Sequence, residues 1–72
     1  MPEELRPVTA FGVQGENENI WHIASAARWS DGRLVGYRTF CGRNYGETAE
    51  RRDVEGLPQV CSDCTAQQER PH

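Results

Sequence analysis

The sequence predicts a small α+β domain: an antiparallel β-hairpin of two or three strands and a short C-terminal helix, held together by something besides its apolar core. Three observations predict it. Asp31-Gly32 is a strong signal for a two-residue hairpin turn. With that turn, directly opposed residues have numbers that sum to 63, so His22 faces Cys41 across the ladder. Their Cβ atoms would then lie about 4.5–5.5 Å apart. Twenty residues after Cys41 comes a pair of cysteines, in Cys61-Ser62-Asp63-Cys64. Finally, the chain has 72 residues, of which 36% are hydrophobic, and its mean hydropathy is −0.79. Three Leu, two Ile and five Val are a small inventory against a backbone ordering cost of about 1–2 kcal/mol per residue. Chains this short commonly need a disulfide or metal staple.

The elements follow in order. Residues 1–7 contain Pro2, Pro7 and paired Glu, and read as a loose terminus; the domain is expected to span 8–70. Val8 to Val13 is β-branched and aromatic enough for a third, edge strand. Gln14 to Asn19 is polar and reads as a turn or loop. The hairpin runs from Ile20 to Cys41. Strict alternation puts Ile20, Ala24, Ala26, Val35, Tyr37 and Thr39 on the His22 face. It puts Trp21, Ile23, Ala27, Trp29, Leu34 and Phe40 on the other, with Ile23 opposite Phe40 and Trp29 opposite Leu34. Gly42 allows a tight turn past Cys41, in which backbone N–H groups can point at its sulfur. Glu47 to Arg52 has the i,i+4 pair Glu47/Arg51 of a short helix, broken by Gly56-Leu57-Pro58. Ser62 or Asp63 can cap a last helix through Glu69, stopped by Pro71.

The chemistry gathers on His22, Cys41, Cys61 and Cys64. A C-x-x-C turn supplies two sulfurs about one tetrahedral edge apart, and an opposed His/Cys pair supplies the other edge. Structural zinc takes four such N/S ligands. With four positions filled, no vacancy is left for a reacting water, so the site reads as structural. That points to a zinc-ribbon or treble-clef type of architecture with one Zn²⁺ per chain. An iron–sulfur cluster is the main alternative, although clusters usually take four cysteines. A disulfide framework wants an even cysteine count, and a thioredoxin-like pair wants a βαβ scaffold. His72 is terminal and reads as solvated.

The order His22, then Cys41-Gly42-Arg43, then Cys61-Ser62-Asp63-Cys64 resembles the small one-histidine, three-cysteine zinc fingers of actinobacteria and their phages. The resemblance spans roughly residues 20–66. It implies zinc binding by those four side chains and little further biochemistry. The sequence departs from the pattern in lacking a large aromatic just before Cys61 and in its long Arg-rich connection.

All eight basic residues are Arg, and net charge is −3. Charge is unevenly spread: formal −3 over residues 1–20, +3 over 28–52 and −3 over 53–72. Such a dipolar, net acidic chain of pI near 5.2 repels nucleic acid at long range. Its aromatics and arginines suit protein interfaces. The expected partner is therefore a protein. The alternative is nucleic acid, with Arg28, Arg33, Arg38, Arg43, Arg51 and Arg52 on phosphates and Trp21 or Trp29 for stacking. Either Trp can instead serve in core packing. No catalytic function is expected, because the only internal histidine is committed to the metal. No run of about 18 apolar residues exists to span a membrane. The acidic Met1-Pro2-Glu3-Glu4 start is not that of a secretory leader, and a cytoplasmic location is expected.

Overall fold

The hairpin is the centre of the computed structural model, which describes residues 3–69. The expected helix stop at Pro71, terminal His72, Arg70, and Met1 and Pro2 of the expected loose terminus lie outside the described residues. Strands β2 (His22–Ser30) and β3 (Arg33–Thr39) flank the turn. Asp31 and Gly32 have φ of 52° and 77°. Positive φ at both central residues is the type I′ turn, whose twist matches that of the strands it joins.

The register is the expected one at both ends and shifted between them. Trp29 pairs with Leu34 and Ser30 with Arg33, as the two-residue turn requires. Arg28 then pairs with Gly36, Ala27 with Tyr37 and Ala26 with Arg38, leaving Val35 as an extra residue on β3. Ala24 pairs with Thr39, so Ser25 is an extra residue on β2 and restores the count. Beyond it the Phe40 N–H donates to the Ile23 carbonyl at 2.9 Å. Two bulges, one on each strand, cancel.

Each bulge reverses the in–out alternation locally, which corrects the expected faces. Ala27, Trp29 and Leu34 join the Ala24, Tyr37 and Thr39 side. One core cluster is then Val13, Ala24, Ala27 and Tyr37, with Val8, Phe11, Trp29, Leu34 and Tyr45 packed on it; Trp21 and Ile23 are buried outside that cluster. Phe11 meets Tyr37 edge-on, with centroids 5.1 Å apart, a geometry worth about 0.5–1.5 kcal/mol beyond burial.

The sheet has five strands, not two or three: with β1 (Glu4–Gln14), β4 (Asn44–Gly46) and β5 (Glu50–Arg52) the order is β4-β3-β2-β1-β5. β1 starts inside the stretch set aside as terminus, since Glu4 pairs with Trp29. It is not an edge strand at its far end, where Gly12–Gln14 pair with β5. β4 covers the other side of β3. The expected Glu47–Arg52 helix is thus replaced by a turn and a strand. Six residues cannot offset helix nucleation, whereas the unpaired edges of β1 and β3 offer ready backbone partners.

After a 3-10 turn at Val54–Gly56, the chain returns to β2 beside the first ligand. The Trp21 N–H donates to the Gln59 carbonyl at 2.9 Å, and the Cys61 N–H donates to the Trp21 carbonyl at 2.8 Å. Helix α1 (Ser62–Glu69) starts there. The Cys61 carbonyl accepts the Thr65 N–H at 3.1 Å, so Cys61 holds the capping position that the sequence suggested for Ser62 or Asp63. Asp63 sits in the first turn, where the helix dipole favours an acid.

Candidate metal centre

Three chain segments meet at one point. His22 opens β2. Cys41 sits in the turn that leaves β3, where Gly42 at φ 92° lets the chain reverse and its N–H donates to the Thr39 carbonyl at 3.0 Å. Cys61 and Cys64 bracket the start of α1, pinned to Trp21 by the two backbone bonds above. The ligand atoms of His22, Cys41, Cys61 and Cys64 all lie within 4.8 Å of one another. His22 and Cys41 come together with the C-x-x-C pair, although Cys41 lies in the turn after β3 and the paired register ends at Ala24 and Thr39.

The geometry fits a tetrahedral ion. His22 Nδ1 lies 3.4 Å from Cys41 Sγ and 3.7 Å from Cys64 Sγ. A tetrahedron with metal–sulfur and metal–nitrogen bonds of about 2.3 and 2.05 Å has an N···S edge of about 3.6 Å, which these two distances bracket. The cysteines are free thiols, Cys64 fully buried. Three thiols and an imidazole, with His22 and Cys64 buried and Cys41 and Cys61 partly exposed, are a donor set for a soft or borderline cation. Structural zinc meets that description.

The surroundings act on the two inner sulfurs in opposite directions. Burial pushes the Cys64 thiol up to about 11, against a hydrogen bond from the Ile23 backbone N–H. Burial also raises Cys41, but the hydrogen bonds of the Thr39 hydroxyl, the two other thiols and the Arg43 backbone outweigh it, so Cys41 titrates below its ordinary value. Thr39 Oγ1 accepts the Arg43 N–H at 3.0 Å and lies 3.1 Å from Cys41 Sγ. The Thr39 hydroxyl proton then has two acceptors in reach, the Cys41 sulfur and, at 3.4 Å, the Arg43 carbonyl. Of the backbone N–H groups expected past Gly42, that of Arg43 reaches both the Cys41 sulfur and the Thr39 hydroxyl.

Sequence reasoning missed Thr39 and Glu18 as members of the site. Glu18 Oε2 lies 3.5 Å from His22 Nε2, the ring atom turned away from the sulfurs. Its other oxygen accepts the Tyr45 hydroxyl at 2.6 Å and the Gly15 N–H at 2.8 Å. The Tyr45 hydrogen bond is the chief reason that Glu18 titrates below the usual carboxylate value, against its partial burial. Burial and the same carboxylate push Tyr45 well above the ordinary phenol range. Glu18 precedes His22 by four residues, but in a loop, where that spacing carries no signal.

The residues expected to form a partner surface are largely occupied within the chain. Trp21 is 4% exposed and covered by the Arg52 guanidinium, 5.4 Å from its ring. Trp29 is half-buried under Arg6. Arg28 bonds both carboxylate oxygens of Glu3, at 2.6 and 3.0 Å, Arg43 pairs with Glu18 at 3.4 Å, and Arg51 lies over Phe11 and Tyr37. Arg33 and Arg38 are exposed and have no ion pair among the described residues. Beside the metal centre is an open groove of about 540 Å³, lined by Ile20, Val60, Ser62, Arg43 and Glu18 and reaching His22 and Cys61. Ile20 is 48% exposed at its rim. Among the described residues no helix is long and apolar enough to cross a membrane.

Comparison with protein-family models, with curated proteins and with solved structures finds no match to this chain.

Proposed function

We propose that this chain is a small interaction module whose fold is fixed by one structural Zn²⁺, held by His22 Nδ1 and the sulfurs of Cys41, Cys61 and Cys64. The observation that carries the reading is the convergence of those four ligand atoms to within 4.8 Å. The chemistry of the set favours zinc over an iron–sulfur cluster, because imidazole replaces the fourth thiolate. The module resembles the one-histidine, three-cysteine zinc fingers in its ligand order. With four protein ligands the ion holds segments together and is not a catalyst.

The partner is a protein, met in the cytoplasm at the groove beside the metal. Its walls come from the three segments that the ion joins, so an ordered groove depends on the ion. An exposed Ile20 flanked by Arg43 and Ser62 offers an apolar contact with a polar rim, the usual anatomy of a protein interface. Nucleic acid is the weaker reading, since four of its six proposed phosphate contacts already serve carboxylates or aromatic rings in the chain.

Elemental analysis of protein purified without added metal tests the first part: one zinc per chain is expected, and iron with visible absorption, or no metal, rejects it. Capture from native-host extract by zinc-loaded and by chelated protein tests the second. A captured protein that needs zinc and survives moderate salt supports it, whereas nucleic acid released steeply by salt rejects it.

A further inference from the structure

We propose that Glu18 is the positioning residue of the metal centre: it accepts the Nε2 proton of His22, so presenting Nδ1 to the metal, and bolts the Cys41 arm to the same point. This rests on the metal reading above. An imidazole that binds a cation through one nitrogen carries its proton on the other, and the group receiving that proton sets the ring's orientation. Here Nδ1 faces Cys41 and Cys64, at 3.4 and 3.7 Å, and Nε2 faces Glu18 Oε2 at 3.5 Å.

The environment of Glu18 specifies a carboxylate and not just its shape. Oε1 accepts from the Gly15 N–H at 2.8 Å and the Tyr45 hydroxyl at 2.6 Å. Oε2 faces His22 Nε2 and the Arg43 guanidinium, the latter at 3.4 Å. The Gly15 N–H, the Tyr45 hydroxyl and the Arg43 guanidinium are donors, and His22 Nε2 is a fourth once Nδ1 holds the metal, so the site then wants acceptors only, which an ionised carboxylate supplies. A glutamine must aim its NH₂ at donors in either orientation. One orientation sets it against His22 and Arg43. The other sets it against the Gly15 N–H and Tyr45, of which only the hydroxyl can turn and accept.

Those donors come from two separate pieces of chain. Gly15 and His22 bracket the β1–β2 connection. Arg43 and Tyr45 follow Cys41, and the Tyr45 ring lies beside His22, centroids 5.7 Å apart. Glu18 therefore joins the histidine arm to the first cysteine arm independently of the metal bonds, and holds the two near the separation the ion requires.

The test is Glu18→Gln beside Glu16→Gln, an equal charge change at an exposed residue of the same loop. Zinc affinity is read by competition with a chromophoric chelator. Loss of an outer partner of a metal-bound histidine typically costs about 10–100-fold in affinity; that loss is expected for Glu18→Gln, with Glu16→Gln unchanged. If Glu18 merely fills space, the near-isosteric Gln binds like wild type, and that result overturns the proposal. Equal losses in both variants overturn it too, because they reflect net charge. NMR of zinc-loaded, ¹⁵N-labelled wild type decides the matter even if Glu18→Gln fails to fold. It should show ligation through Nδ1 and a slowly exchanging Nε2–H on His22, while ligation through Nε2 rejects the proposal. A wild type that binds no zinc rejects the metal reading itself. A wild type that binds while Glu18→Gln binds equally well rejects only the role of Glu18.

Discussion

Gly36→Ala should peel β4 from the sheet and weaken the metal centre from a distance. Gly36 is buried on β3 opposite Gly46, and its φ lies outside the left-handed region, so alanine suits the backbone. The space does not suit it. A Cβ there would lie 2.0 Å from the Tyr45 carbonyl oxygen and 3.0 Å from its carbon. Ordinary contact begins near 3.4 Å, so β4 must retreat by about 1.4 Å, the difference of 3.4 and 2.0. A retreat that large breaks a strand bond of normal length, and β4 is held by only three residue pairs. Overpacking of this kind costs about 1–3 kcal/mol. The reduced freedom of the unfolded chain returns about 0.4–1 kcal/mol, leaving a net loss of about 1–2 kcal/mol. Because Tyr45 also donates to Glu18, zinc affinity should fall several-fold. The assay is urea unfolding followed by tryptophan fluorescence at fixed free zinc, since bound ligand adds to apparent stability. Gly46→Ala is the control: its Cβ meets nothing within 4 Å, so it should be neutral or slightly stabilising. Wild-type stability in Gly36→Ala, or an equal loss in Gly46→Ala, would refute the reasoning.

Four further outcomes are expected. Chelation should unfold the chain, because structural zinc supplies about 10–16 kcal/mol of apparent binding energy in small domains; dispersed amide signals that survive complete metal removal would reject this. Zinc affinity should fall as pH falls, because bound thiols must give up their protons. A free cysteine thiol keeps its proton near neutral pH, and burial at the site pushes that of Cys64 up to about 11, so binding must displace at least that proton. Affinity should then change tenfold or more per pH unit, a slope that chelator competition at several pH values measures. Gly32→Val should strain a residue at φ 77°, at about 1–2 kcal/mol, and lower zinc affinity although the turn is far from the ligands; unchanged affinity would show that register and site are uncoupled. His22→Cys should still take up one divalent ion, because thiolate is also a zinc ligand, and cobalt substitution should show the absorption of a tetrahedral thiolate site.

The ligands and the turn were legible because each has side-chain chemistry of its own. Histidine and cysteine are scarce and specific, and Asp31-Gly32 is one of few dipeptides that accept positive φ at both positions. Helix α1 followed from its place at the C-x-x-C knuckle. The edge strands were hidden because Asn44–Gly46 and Glu50–Arg52 carry no alternation to read, and Glu47/Arg51 mimic a helical pair. Their strand state comes from backbone edges supplied by β3 and β1, which are distant in sequence. Glu18 and Thr39 were hidden for a related reason. Each is an ordinary polar residue until the fold sets it against a ligand, Glu18 behind His22 and Thr39 beside Cys41. The bulges at Ser25 and Val35 had no signature either, since neither residue type marks a bulge.

That the bulges nevertheless leave the ligand pair intact has a physical basis. The type I′ turn fixes one end of the hairpin and the ligand pair fixes the other. With the Val35 bulge alone, the pairs Ala26↔Arg38 and Ala27↔Tyr37 would carry on in the same register and set His22 against Gly42. Cys41 would then lie out of step with the imidazole. An extra residue on β2 is the one correction that restores the count without altering the turn. Ser25 supplies it, and its hydroxyl holds the bulge by donating to the Arg38 carbonyl at 3.2 Å. β1 makes its own shift at the same level, between Pro7 and Phe11, so the two strands deviate together and remain paired on either side. Bulges increase local twist, and here they bring Ala24 and Ala27 onto one face against Tyr37. The hairpin thus gains a continuous core between two fixed ends. Its irregularities are compatible with the metal centre only as a compensating pair.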